Sequence, residues 1–187
     1  MRSQKINIID TGKHLPRAGM SDWFELQGNR KQFVQKPILN QSRKNGTVLY
    51  GRFAVNKIIG KGLQRDTYDF DVYSNRPLKH ALEIEQSIDR GTNSNLAYVE
   101  KTHYEEGGRK HPLVRIKIRP HETTEADFNK MPKGLKFVKI KGVKYEHIDK
   151  AEMKYSGMIK RGERGHSPFL DKNDIRMFNL IRSRRML

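Results

Sequence analysis

The chain has 187 residues, of which 35% are hydrophobic, and this suits one domain with a lean core and a small appendage. It contains no cysteine, which excludes disulfides, thiolate zinc sites and cysteine nucleophiles and fits a reducing compartment such as the cytoplasm. Lys and Arg number 38 against 21 Asp and Glu, so a formal charge of +17 points to a polyanionic partner, nucleic acid ahead of an anionic membrane or an acidic protein. No apolar run approaches the roughly 18 residues of a membrane-spanning helix. Nor does the N-terminal MRSQKINIIDTGKHLPRAG read as a signal peptide.

In chain order, residues 1–20 are irregular and read as a flexible arm. Ser21 caps a helix expected to run toward Gln35, with Trp23, Phe24, Leu26, Phe33 and Val34 as its apolar face. Lys36-Pro37 interrupts it, and a second short helix follows over 38–44. After the Asn45-Gly46 turn, residues 47–50 read as a buried strand ending at Gly51, and Phe53 to Ile59 as a helix stopped by Gly60 and Gly62. Tyr68 to Tyr73 alternates apolar and acidic residues, the period of a half-buried strand. Pro77 opens a helix carrying Leu78, Ala81, Leu82, Ile84 and Ile88, followed by a loop over 90–95. Strands are expected at 96–99, 113–118 and 124–128, the second with its apolar side inward and its basic side outward. Lys141-Gly142 joins a hairpin of 135–140 and 143–145. From Ile148 the chain reads as helical, broken around 162–168, with a last helix over 171–184. The fold class is therefore α+β: a mixed sheet flanked by helices, with a helical C-terminal segment. One domain is expected over 21–187, with its core at 47–128 and a helical part at 147–187.

Residues i and i+2 of a strand share a face, so Asp69 and Asp71 project together while Phe70 turns inward. Two carboxylates so close repel, and a divalent cation relieves that repulsion. Magnesium takes oxygen ligands, typically one or two carboxylates plus substrate phosphates. Asp127, in a later acid–apolar alternation, is the candidate third carboxylate of a two-metal clamp. Gly51, at a strand–helix junction, lets backbone N–H groups approach a phosphate at a helix N-terminus. Seven histidines are scattered without metal-ligand spacing, and no Walker-type loop is present. Basic clusters at 139–144, 160–164 and 182–185, and Arg115, Lys117 and Arg119 along one strand, are candidate phosphate contacts. Phe137 and Tyr145 near them are candidates for base stacking.

Tyr50-Gly51, the helix 53–59 and then Arg65-x-Thr67-x-Asp69-x-Asp71 resemble the motif of the polymerase-β-like nucleotidyltransferase superfamily. The spacing is most similar to minimal nucleotidyltransferases of toxin type and to versions encoded by large DNA viruses and phages. Lys172-Asn173-Asp174-Ile175 looks like the Lys-and-acid helix that often closes such domains. The match covers roughly residues 47–128. Where the family has a second Gly or Ser, this chain has Arg52, whose guanidinium can pair with phosphate as a two-pronged donor. The gap from Arg52 to Asp69 is also longer than the family's compact pattern. The resemblance implies a mixed sheet with acids on adjacent strands, two magnesium (or manganese) ions and a nucleoside triphosphate donor. Asp69 and Asp71 would then bind both metals and Asp127 would help activate an attacking hydroxyl. Gly51, Arg52, Arg65, Thr67 and Lys172 would contact the nucleotide. The alternative is a basic virion or nucleoprotein component that keeps the fold without the chemistry and binds nucleic acid or virion proteins.

Overall fold

The computed structural model describes residues 7–59, 64, 67, 69–106, 108–160, 176, 178 and 179. In chain order the elements are β1 (Asn7–Ile9), α1 (Met20–Arg30), a π-helical turn (Lys31–Gln35), α2 (Lys36–Asn45), β2 (Val48–Tyr50) and α3 (Gly51–Ile58). Then come β3 (Phe70–Ser74), α4 (Pro77–Thr92), β4 (Ala97–Glu106), β5 (Arg109–Ile118), β6 (Thr123–Lys130), β7 (Phe137–Ile140), β8 (Val143–Glu146) and α5 (Ile148–Lys160). All eight strands join one sheet in the order β1-β4-β5-β6-β3-β2-β8-β7. The β3–β6 and β2–β8 pairs are parallel and the others antiparallel. This is the α+β mixed sheet with flanking helices that the element pattern implies.

The alternation along the central strands divides the sheet into two faces. Phe70 and Val72 of β3, Ala126 and Phe128 of β6 and Ile116 of β5 are buried in one core with Leu26, Val34 and Ile38 of the first helical segments and Ile84 and Ile88 of α4. The residues between them, Asp71, Asp127 and Arg115, occupy the other face. The helices thus cover the apolar face and leave the carboxylates on the opposite one.

Three expectations need correction. Residues 7–19 are not an arm. β1 pairs with β4, Arg17 bridges Asn95, and Arg119 Nη2 donates to Asp10 Oδ2 at 2.9 Å. The sequence hides this because a three-residue edge strand is too short for a readable alternation. Pro37 does not break the helix either. A proline in a helix removes an N–H and crowds the carbonyl four residues back. Here the π-helical turn Lys31–Gln35 precedes it, Lys36 N–H reaches back to Lys31 O, and the chain continues into α2 with Pro37 at its start. The wider turn changes the hydrogen-bond register where the proline would otherwise clash. Phe24, assigned to the apolar face, is instead 62% exposed, while Leu26 and Val34 are fully buried.

Elsewhere β4, β5 and β6 outrun their expected bounds, while β7 starts two residues later than expected. β4 and β5 form a long antiparallel ribbon from Ala97↔Ile118 to Glu106↔Arg109. α4 continues to Thr92, where Asn93 adopts the left-handed conformation that ends a helix. The β7–β8 hairpin turns at Lys141-Gly142 as expected. α5 packs Ile148 and Ala151 with Val55, Ile59 and Phe178. The expected break at 162–168 lies outside the described residues. So does the final helix, except that Arg176, Phe178 and Asn179 are helical.

Candidate active site

The central strands set one row of side chains across the carboxylate face. Tyr50 of β2 pairs with Asp71 of β3, Asp71 with Asp127 of β6, Asp127 with Arg115 of β5, and Arg115 with Glu100 of β4. Adjacent strands lie about 4.8 Å apart, so Asp71 and Asp127 are direct neighbours on a shared face. Two chain segments 56 positions apart thereby form the carboxylate pair that the sequence could propose only as separate motifs. Asp69 lies just before β3 and is exposed. Its Oδ1 accepts a hydrogen bond from Thr67 Oγ1 at 3.1 Å.

Gly51 is required here twice over. Its φ is +67°, a conformation in which a side chain is strained. A Cβ at this position would also collide with Asp71 Oδ2 and lie 2.9 Å from its Cγ. The start of α3 is thus pressed onto the Asp71 carboxylate, where the positive end of the helix dipole favours negative charge. Arg52, next along α3, is half-buried and engaged within the protein.

Arg115 was expected only as a phosphate contact, and its pairing with Asp127 is what the sequence did not reveal. Its Nε donates to Asp127 Oδ1 at 2.8 Å and its Nη2 to Oδ2 at 3.2 Å, a two-pronged pairing. That hydrogen bonding, ahead of the opposing effect of burial, holds the guanidinium above its ordinary range. The basic alternation on β5 was expected to face outward. It does face away from the core, and there Arg115 serves Asp127, Lys117 Nζ donates to Glu122 O at 2.9 Å, and Arg119 bonds Asp10, Asn95 and the Ala97 carbonyl. The signal was present as alternation, but only the β5–β6 register assigns Arg115 to Asp127.

The row ends in an aromatic pair. Tyr50 and Tyr73 stack with centroids 3.9 Å apart and an interplanar angle of 15°. Asn129 Nδ2 donates to the Tyr50 hydroxyl. Burial first, then the charge of Asp71, pushes the Tyr50 hydroxyl well above its ordinary range. It is a fixed neutral wall beside the carboxylates rather than a proton acceptor. Beyond Asp127, Arg30 Nε donates to the buried Glu125 at 2.6 Å. This pair ties the α1 end to β6.

The donors Asp71 and Asp127 are oxygens in register, which suits a hard divalent cation. Among the described residues, however, no three His, Asp or Glu side chains are gathered closely enough to hold a metal ion. The positive charge facing Asp127 is that of Arg115. The residues therefore fit a single cation at the Asp71–Asp127 pair on condition that Arg115 releases Asp127. Of the other expected nucleotide contacts, Arg65 and Lys172 lie outside the described residues.

No protein-family model and no curated protein matches the chain. Among solved structures, the polyadenylate synthase of Megavirus superposes on it with a TM-score of 0.62 at 16% identity, over 95% of this chain and 40% of that one. The chain has the nucleotidyltransferase fold. JHP933 from Helicobacter pylori aligns over 80% of this chain and 64% of its own length, with 17% identity and a TM-score of 0.49. The chain thus spans less than half the length of the viral polyadenylate synthase. The resemblance drawn from the Gly51 and Asp-x-Asp motifs and the backbone similarity agree on the fold. No described helix is long and apolar enough to cross a membrane.

Proposed function

We propose that the chain is a nucleotidyltransferase that uses the Asp71–Asp127 pair to bind a nucleoside triphosphate with a divalent cation. One observation carries the reading: Asp71 and Asp127 stand in register on adjacent parallel strands, beside a glycine whose missing side chain lets α3 meet the Asp71 carboxylate. The cation would be held by Asp71 and Asp127, with Asp69 at the rim, and would supply charge neutralisation to the triphosphate. The chain's own residues do the rest. The N-terminal backbone of α3 faces the phosphates. Arg115 leaves Asp127 as nucleotide enters and turns its guanidinium to phosphate oxygen, exchanging one anionic partner for another. Tyr50 and Tyr73 keep that side of the pocket apolar and fixed. An acceptor hydroxyl oxygen then bonds to the α-phosphorus, its proton passes to Asp127, the α–β bridging bond breaks and pyrophosphate departs.

The test is incubation with each α-labelled nucleoside triphosphate, magnesium or manganese, and oligonucleotide acceptors. Label is expected on an acceptor, and is expected to vanish in Asp71→Asn and Asp127→Asn with the fold intact by circular dichroism. The Arg115–Asp127 ion pair favours a second reading, in which the fold binds nucleic acid and does no chemistry. Absence of transfer with all four nucleotides, together with nucleic-acid binding that ignores both aspartates, would select it.

A further inference from the structure

Two stretches of the sequence carry no acid at all: residues 26–65 hold nine Lys and Arg, and residues 128–145 hold six Lys. They are remote in sequence, yet the fold brings them together. β8 pairs with β2, Lys144 N–H donates to Ser42 Oγ at 2.9 Å, and Arg43 Nε donates to Lys141 O at 3.4 Å. Neither stretch can neutralise its own cations, and their junction adds the two surpluses.

At this junction the molecule has a groove. It is a cavity of about 450 Å³ lined by Asn29, Lys31, Gln32, Gln35, Lys36 and Arg43. The π-helical turn Lys31–Gln35 widens the helix where three of these residues, Lys31, Gln32 and Gln35, lie. With Gly28 and Leu39 also lining it, the cavity has three cations, three amides and no carboxylate. Gly28, one turn earlier, faces open space: a Cβ there would meet nothing within 4 Å. Arg43 joins this lining to the β7–β8 hairpin through its bond to Lys141 O; there Lys139 and Lys141 are exposed, Phe137 is 44% exposed and Lys144 Nζ lies 4.8 Å from the Phe137 ring centroid. From Gly28 to Arg43 the helical stretch runs about 22 Å. This surface belongs to the helix layer and the sheet edge, whereas Asp71 and Asp127 lie on the opposite face.

We infer that this groove and the adjoining hairpin bind the phosphodiester backbone of a nucleic acid, independently of the carboxylate site. Cations at intervals along a groove neutralise successive phosphates and release their counterions. The amides offer donors and acceptors to sugars and phosphates, and Phe137 offers a face to an unstacked base. Nucleic acid fits better than a membrane, because the cations and amides sit inside a concave surface rather than around a protruding apolar one, and the exposed Phe137 and Ile140 are confined to the hairpin.

The experiment measures anisotropy of labelled 20-nucleotide single-stranded RNA, single-stranded DNA and duplex DNA across salt concentrations. The proteins are the wild type, the triple variant Lys31→Ala/Lys36→Ala/Arg43→Ala, Gly28→Glu and the control Lys79→Ala/Lys110→Ala. The triple variant is expected to weaken binding at least tenfold and to flatten the salt dependence of single-strand binding by about 2 log units per log unit of salt. Gly28→Glu places an acid at the groove without steric cost and favours the helix, so a tenfold loss there cannot be laid to misfolding. The control variant, whose lysines face Glu83 and Glu105 elsewhere, is expected to bind as the wild type does. Wild-type affinity in the triple variant and in Gly28→Glu would overturn the inference. So would wild-type protein that binds phosphatidylserine vesicles or polyglutamate but none of the three nucleic acids. Transfer is read separately with Asp71→Asn and Asp127→Asn, so the failure of the groove and the failure of the transferase reading give different results.

Discussion

This strongly basic protein concentrates carboxylates in two places, and they are built differently. Asp71 and Asp127 stand on a sheet face with partial access to solvent, beside Asp69, with the Arg115 guanidinium paired to Asp127 and itself partly exposed. Asp10, Glu85 and Asp89 lie between the N-terminal segment and α4, and there the carboxylates are spent on holding backbone. Thr11 donates to Glu85 through both its N–H and its hydroxyl, and Asp89 Oδ1 accepts from the N–H groups of Leu96 and Ala97 at 3.0 and 2.8 Å. A Cβ at Gly12 would strike Asp89 Oδ2. Glu85 and Asp89 are almost fully buried. Burial is the largest cause lifting both above the usual carboxylate range, Asp89 to about 7. The second cluster is a clasp; the first retains the exposure that a ligand needs. Burial and partner type, rather than the number of acids, separate a structural cluster from a candidate site.

Gly51→Ala should break the comparison most severely. A left-handed φ costs an alanine about 1–2 kcal/mol, and the collision with Asp71 adds to it. We expect a melting temperature lower by about 5 °C or more and loss of any nucleotide binding. An unchanged melting curve would mean that α3 does not press on Asp71. Asp89 sharpens the other half. Its folded-state pKa is raised from 3.8 to about 7. The folded chain therefore holds a proton that the unfolded chain has released, and the stability this group adds is present in full below about 4 and lost as pH rises through 7. The difference is at most on the order of 4 kcal/mol. Thermal melts from pH 5 to 8.5 should show the wild type losing stability as pH rises and Asp89→Asn losing much less. Parallel profiles would contradict the assignment. His14 and Arg90 line the same small cavity and Arg119 pairs with Asp10 nearby, so Glu85→Gln serves as the companion variant, with the same sign.

Arg115→Gln tests whether the ion pair competes with a cation for Asp127. Removing the guanidinium should raise the apparent manganese affinity about tenfold, or ~1.4 kcal/mol, read by thermal shift or by the electron paramagnetic resonance of free Mn2+. Unchanged affinity would show that Asp127 is not a ligand. The smallest effect is expected for Phe24→Ser. This residue points to solvent, so stability should change by less than about 0.5 kcal/mol. A larger loss would mean that the face is covered in solution.

Much of the fold was legible because alternation is a local property. Phe70, Val72 and Phe128 mark buried faces without knowledge of their partners. Asp127 was legible as an acid in an acid–apolar strand, and Gly51 as a glycine at a junction. Register was not legible. Nothing in the sequence of β5 says that Arg115 rather than Lys117 stands opposite Asp127, because a bulge between Ile116 and Lys117 shifts the pairing. Nor does the sequence show that Pro37 is tolerated, since the compensating π-helical turn depends on packing of Phe33 and Val34 against the core. β1 was missed for a related reason. Asn7–Ile9 is strand only because β4 offers an edge.

The most direct measurement is a crystal structure with Mn2+ and a non-hydrolysable nucleoside triphosphate, read by the anomalous signal of manganese. The expected result is a manganese peak between the Asp71 and Asp127 carboxylates, the triphosphate over the start of α3, and Arg115 moved from Asp127 to phosphate oxygen. A nucleotide-soaked crystal with the Arg115–Asp127 pair intact and no manganese at Asp71 would contradict it.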